Sequence, residues 1–301
     1  MLHPEGRVES LVYNEVGKII APHHVWFNRA GWITHIEKVP SGFEYSADPK
    51  GRYKVTAFNF GFRELTALRA KGMLEQYMEP GVLRKDDNQE TAFVPKSFAT
   101  ECCAGMVQSD QLRDRLDHIS RILPVPLPLR IGNELVYPKK GFDPRFGIYL
   151  VPDSPELDHA MPIEEARELI AKVLPGFCFT TEQSRTHAVA RLLTPFARAL
   201  LGWTTRVPLW VFIGSRPRCG KNYLSGCVLI IYEGFAFEDQ PITGRDSAPE
   251  TAKRILAAAR AGRRFMHFSN CEQNLKDTSL THAITDPNIS GRNLGTNDSK
   301  G

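Results

Sequence analysis

Apolar positions recur with two different periods along the chain, and the period changes mark its elements. Val25-Trp26-Phe27 and Trp32-Ile33-Thr34-His35-Ile36 flank Asn28-Arg29-Ala30-Gly31, two β-prone runs around a glycine-bearing turn that predict a hairpin. Lys54–Phe58 reads as another strand. Phe62, Leu65, Leu68 and Ala70 recur at helical spacing and predict a helix over Phe62–Met73 with Gly72 as its stop. Residues 78–100 are polar and irregular, and Leu112, Leu116, Ile119 and Leu123 then share one face of a helix predicted over Leu112–Ile122. Pro124, Pro126 and Pro128 forbid helix and favour extended backbone. Glu134–Tyr137 and Phe146–Leu150 read as strands either side of a turn at Gly141–Pro144.

Residues 152–162 hold prolines and acids and read as a linker, placing a domain boundary near 155–162. Beyond it the pattern is α/β. Helices are predicted over Ile163–Leu174, with Pro162 at its start and acids in its first turn, and over Thr180–Leu201, bent at Pro195. The division is therefore an α+β region over 1–160 and an α/β region over 161–301.

Composition narrows the picture. Of 301 residues, 42% are hydrophobic and 24% charged, which supports a packed core and excludes wholesale disorder. No apolar run reaches the ~18 residues of a membrane span. Met1-Leu2-His3-Pro4-Glu5 has neither a basic nor an apolar leader pattern, so a cytoplasmic protein is expected. The six cysteines lack framework spacing and read as reduced thiols. The adjacent pairs His23-His24 and Cys102-Cys103 diverge in direction and read as structural rather than metal-binding. Residues 1–160 carry 20 basic against 21 acidic side chains and residues 161–301 carry 18 against 13, so the basic excess lies in the second half. That excess suits phosphate-bearing partners without requiring them.

The second half also carries the candidate chemistry. Val207–Ile213 is a seven-residue apolar run, the signature of a strand buried on both faces. It leads into Gly214, Ser215, Arg216, Pro217, Arg218, Cys219, Gly220, Lys221, Asn222 and Tyr223, and a helix is predicted from Tyr223 to Ile230. Strand, loop ending in Gly-Lys, and helix is the context of a phosphate-binding loop, in which backbone N–H groups wrap a phosphate and the lysine adds charge. The spacing departs from G-x-x-x-x-G-K-[ST] at both ends: Ser215 stands at the first glycine position, with Gly214 one residue early, and Asn222 stands where Ser or Thr would ligate Mg²⁺. A Gly-Lys turn joining a core strand to a helix has the same local signature; the flanking elements favour the phosphate loop. Farther on, Ala248–Ala261 predicts a helix stopped by Gly262, Arg264–Asn270 a short strand, and Thr278–Ile284 a helix. The strand ends in Ser269 and Asn270, with Glu272 two residues on, where ATPases with a phosphate-binding loop carry an acid for Mg²⁺.

These stretches resemble the ATPases that phages and plasmids encode beside or fused to primases, a helicase-like branch of the AAA+/superfamily 3 class. The similarity covers roughly residues 120–300. It rests on Ile122–Pro126 through Gly141–Leu150, on Leu192-Leu193-Thr194-Pro195, on Arg216-Pro217-Arg218-Cys219-Gly220-Lys221, and on Arg254–Asn270 followed by Ala283–Pro287 and Arg292–Gly295. It implies a P-loop NTPase fold, with a partial parallel sheet and helices, preceded by the α+β region. It implies ATP and Mg²⁺ at Gly214–Tyr223, with Lys221 on the γ-phosphate and Asn222 and Asn270 toward the metal. It also implies Arg292 acting near a neighbouring subunit's nucleotide, a role that Arg263 and Arg264 could fill instead, a ring of identical subunits, single-stranded DNA, and a primase partner. Glu272, the only acid close after the strand, is expected beside the attacking water. Ser269 in place of the family's Asp, and Asn222 in place of its Thr, leave open a nucleotide-binding scaffold that does not hydrolyse; a small-molecule phosphotransferase using the same loop is a third reading. His267 reads as a packed core histidine, and Arg216, Arg218, Arg263 and Arg264 as either solvated surface or DNA contacts. Only 87 residues follow Gly214, fewer than the resembling core needs, so the chain is expected to be incomplete at its C-terminus and inactive alone.

Overall fold

The structure is a computed structural model describing residues 9–45, 53–85, 90–201, 205–234, 240–241, 248–269, 277–286, 291–292 and 299–300. It is mixed α/β with small sheets. The chain forms two compact units, residues 1–121 with 142–148, and residues 122–141 with 149–301.

In the first unit, helix Glu9–Ile20 buries Val12, Val16 and Ile20 on one stripe. Strands Trp26–Arg29, Trp32–Tyr45 and Tyr53–Glu64 make an antiparallel sheet in that order. The predicted hairpin is present, and its turn places Ala30 at φ +49° and Gly31 at φ +82°, the left-handed pair that a tight two-residue connection requires. Trp26, Ile33 and Leu65 pack with Leu74, Phe98, Cys103, Met106 and Leu112 into one core.

Three expectations are corrected here. Phe62 belongs to the third strand and the helix runs Ala67–Tyr77, because Thr66 caps it by accepting from the Arg69 N–H at 3.3 Å. The polar stretch contains a hairpin, Gly81–Lys85 with Thr91–Pro95. The helix expected over Leu112–Ile122 is limited to Asp110–Arg113. Leu112, Leu116 and Ile119 are buried as their spacing demanded, but the backbone is recruited by the hairpin: Asn28 N–H donates to the Asp117 carbonyl at 2.9 Å and Ile119 N–H to the Asn28 carbonyl at 3.0 Å.

His35 lies on the middle strand, 5% exposed, opposite Trp26 and Arg63. Burial holds its pKa below the ordinary histidine value and the Arg69 charge reinforces this, while the Glu37 charge and a hydrogen bond with the Arg63 backbone oppose it. The unfolded chain therefore binds the proton more readily. The stability contributed by neutral His35 is present above the ordinary histidine pKa and is lost as pH falls from there through the lowered folded-state value. Urea midpoints of the intact chain should fall between pH 7.5 and 5.5, and His35→Gln should flatten that slope; equal slopes would remove His35 from the account.

The second unit contains helices Ile163–Lys172, Glu182–Leu201, Lys221–Glu233, Ala248–Arg260 and Thr278–Thr285, close to their predicted bounds. The Tyr232 hydroxyl donates to the Leu192 carbonyl at 2.9 Å and ties the second of these helices to the third. Late in this unit Gln240–Pro241 pairs parallel with Phe268–Ser269.

The buried strand expected over Val207–Ile213 is not found. The segment joins no ladder, and Leu209, Val211 and Ile213 are 45, 62 and 92% exposed. Alternation explains the pattern: Trp210 and Phe212 turn the other way and are half-buried, with the Arg191 guanidinium 5.0 Å from the centre of the Phe212 ring. Among the described residues no helix is long and apolar enough to cross a membrane.

Candidate phosphate-binding loop

Helix Lys221–Glu233 starts after Gly220, whose φ of +84° belongs to the left-handed region that glycine tolerates. Arg218 is also left-handed, at φ +60°, so the backbone reverses twice within three residues before the helix begins. No side chain caps the helix, and its first internal bond runs from Leu224 N–H to the Gly220 carbonyl at 3.0 Å. The N–H groups of Lys221, Asn222 and Tyr223 precede that bond and stand at the positive end of the helix dipole.

Gly214 accounts for the irregular spacing. A Cβ placed there would sit 2.3 Å from Cys219 Sγ and 2.8 Å from Lys221 Cδ. The lysine stem thus folds back over Gly214 while Cys219 closes the loop beneath it. The position that must lack a side chain is Gly214, and Ser215, one residue later, is exposed. The loop is open to solvent: Ser215 to Cys219, Lys221, Asn222 and Tyr223 are all exposed, Tyr223 to 78%.

Three side-chain contacts fix the helix behind the loop. Ser225, 3% exposed, lies 2.7 Å from His267 Nε2 and donates to the Asn222 carbonyl at 3.1 Å. At the other end, Arg264 Nε donates to Glu233 at 2.9 Å and its Nη2 to the Tyr232 carbonyl at 2.5 Å. The third is the Tyr232–Leu192 bond. Arg191 precedes Leu192 in helix Glu182–Leu201. Burial lowers its pKa to about 10, and its Nη1 has no hydrogen-bond partner among the described residues.

Of the predicted site residues, Gly214–Tyr223 form one continuous loop and helix start. Asn270 and Glu272 lie outside the described residues. Arg292 lies in the two-residue strand Gly291–Arg292, paired antiparallel with Ser299–Lys300. The contacts made by Ser225, His267 and Arg264 were not legible beforehand: His267 and Arg264 lie 42 and 31 positions from their partners, and nothing in the spacing links them.

The donor set around the loop suits a phosphate group: main-chain N–H groups, one folded lysine and exposed arginines. Asn222 adds one neutral oxygen at the helix start, of the kind that joins phosphate oxygens and water around Mg²⁺. Comparison with protein-family models, curated proteins and solved structures finds no match to the chain.

Proposed function

We propose that the chain binds ATP with its Mg²⁺ at Gly214–Tyr223, as part of a helicase-like ATPase acting in replication of a mobile element. The observation that carries this reading is the lysine stem folded over Gly214 at the head of an uncapped helix. In this arrangement the N–H groups of the first helical turn receive the β-phosphate, and the Lys221 ammonium neutralises charge on the γ-phosphate. Asn222 offers its amide oxygen to the metal that accompanies the nucleotide. The resemblance, rather than the geometry, assigns Arg292 to a neighbouring subunit's nucleotide, and single-stranded DNA and a primase as partners in a ring; Glu272 is assigned to the water as the acid that follows the strand in the sequence.

A second reading, a scaffold that holds nucleotide without turnover, is favoured by Ser269, 4% exposed at the end of the short strand where an acid would organise hydrolysis. One assay separates the two. ATP binding and phosphate release are followed with and without single-stranded DNA. Nucleotide bound in the micromolar range, with turnover that rises on adding DNA, in this chain or a longer one containing it, selects the motor. Binding without turnover selects the scaffold, and no binding rejects both.

A further inference from the structure

Ser225 Oγ lies 3.1 Å from the Asn222 carbonyl and 2.7 Å from His267 Nε2. A carbonyl only accepts and the hydroxyl has one proton, so both contacts are hydrogen bonds at once only with the Ser225 proton on the Asn222 carbonyl and a proton on His267 Nε2. The Asn222 carbonyl shares its planar peptide unit with the N–H of Tyr223. Tyr223 N–H belongs to the first turn, among the donors that face a phosphate. A hydrogen bond to the carbonyl of a peptide unit fixes the plane of that unit and polarises its N–H, and linked bonds strengthen one another. Ser225 is buried, so the relay is shielded from water, whereas Asn222 and Tyr223 are exposed at the loop. His267 directly precedes the strand Phe268–Ser269, so the relay joins that strand to the loop.

We propose that His267 is a positioning residue for nucleotide binding: through Ser225 it orients and polarises the Asn222–Tyr223 peptide unit, and so couples the strand Phe268–Ser269 to the phosphate loop. The proposal rests on the ATP-binding reading. Its own geometry can be tested without nucleotide.

The test uses His267→Ala, Ser225→Ala, the double variant and His267→Gln in the full chain. Gln is chosen because its side-chain amide places an N–H near the position of Nε2. His267→Ala and Ser225→Ala should each weaken ATP binding about fivefold. The double variant should be no weaker than either alone, because the relay acts as one unit. His267→Gln should restore binding to within about twofold, a recovery that lost packing alone would not produce. Without nucleotide, the Tyr223 amide resonance should move in His267→Ala and return in His267→Gln. Single variants that bind ATP like the parent, additive losses, a glutamine variant as weak as the alanine one, or an unmoved Tyr223 amide would each overturn the proposal. Failure of the parent chain to bind ATP would instead defeat the phosphate-loop reading, and the Tyr223 resonance would still decide whether the relay exists.

Discussion

Lys221→Ala is expected to weaken ATP binding by roughly 10- to 100-fold, the range that corresponds to losing a charge-assisted hydrogen bond to phosphate. The side chain is exposed and its stem lies over Gly214, so removing it opens no buried cavity. Alanine is also a strong helix former, and the change in folding stability should stay within about 0.5 kcal/mol. The result is therefore a separation: affinity falls and the melting temperature holds. Titration with a fluorescent ATP analogue, beside a thermal melt of the same samples, checks both. Affinity unchanged in Lys221→Ala would mean that any bound nucleotide sits elsewhere.

Arg264→Ala should show the opposite separation in its first effect, a large loss of stability. Arg264 and Glu233 are 17 and 15% exposed and hydrogen-bonded at 2.9 Å, and Arg264 also holds the Tyr232 carbonyl at the end of the helix behind the loop. Removing the guanidinium leaves a mostly buried carboxylate unpaired near the negative end of that helix dipole, at a cost of about 3 kcal/mol. Replacing both partners, Arg264→Met with Glu233→Met, should recover most of the loss, because the unpaired charge goes with its partner. Urea denaturation followed by far-UV circular dichroism measures this. A midpoint for Arg264→Ala equal to that of the parent chain would show that the pair contributes nothing, and a double variant no better than the single one would show that the loss is not one of unpaired charge.

The helices of the second unit were legible because each announces itself locally. Pro162 and the acids Glu164 and Glu165 open one, and Gly262 follows the end of another. The hairpin turn at Ala30-Gly31 is likewise a local instruction. Elements whose state depends on distant partners were misread. Val207–Ile213 has the composition of a strand buried on both faces, but burial needs neighbours on both sides, and a run of apolar residues does not contain its neighbours. Phe62 continues into the spacing of the helix that starts at Ala67, so the pattern fused a strand end to a helix. Leu112–Ile119 kept its predicted burial while its backbone bonded to the hairpin. Burial was thus easier to read than backbone pairing.

The candidate site divides the same way. Gly214, Gly220 and Lys221 stand out in the sequence because a left-handed residue and a close side-chain approach each leave a residue type behind. The room that Cys219 and the Lys221 stem leave at Gly214, which explains why the first glycine comes early, is set by how the loop folds and leaves no spacing in the sequence. The support beneath the loop, Ser225 on His267 and Glu233 on Arg264, is tertiary and leaves no periodic trace.

The most direct test of the central claim is hydrogen–deuterium exchange of the full chain with and without ATP and Mg²⁺. The account predicts slowed exchange in the peptides covering Gly214–Tyr223, and loss of that protection in Lys221→Ala. Saturating nucleotide that leaves those peptides unchanged, or protects only other parts of the chain, would contradict it.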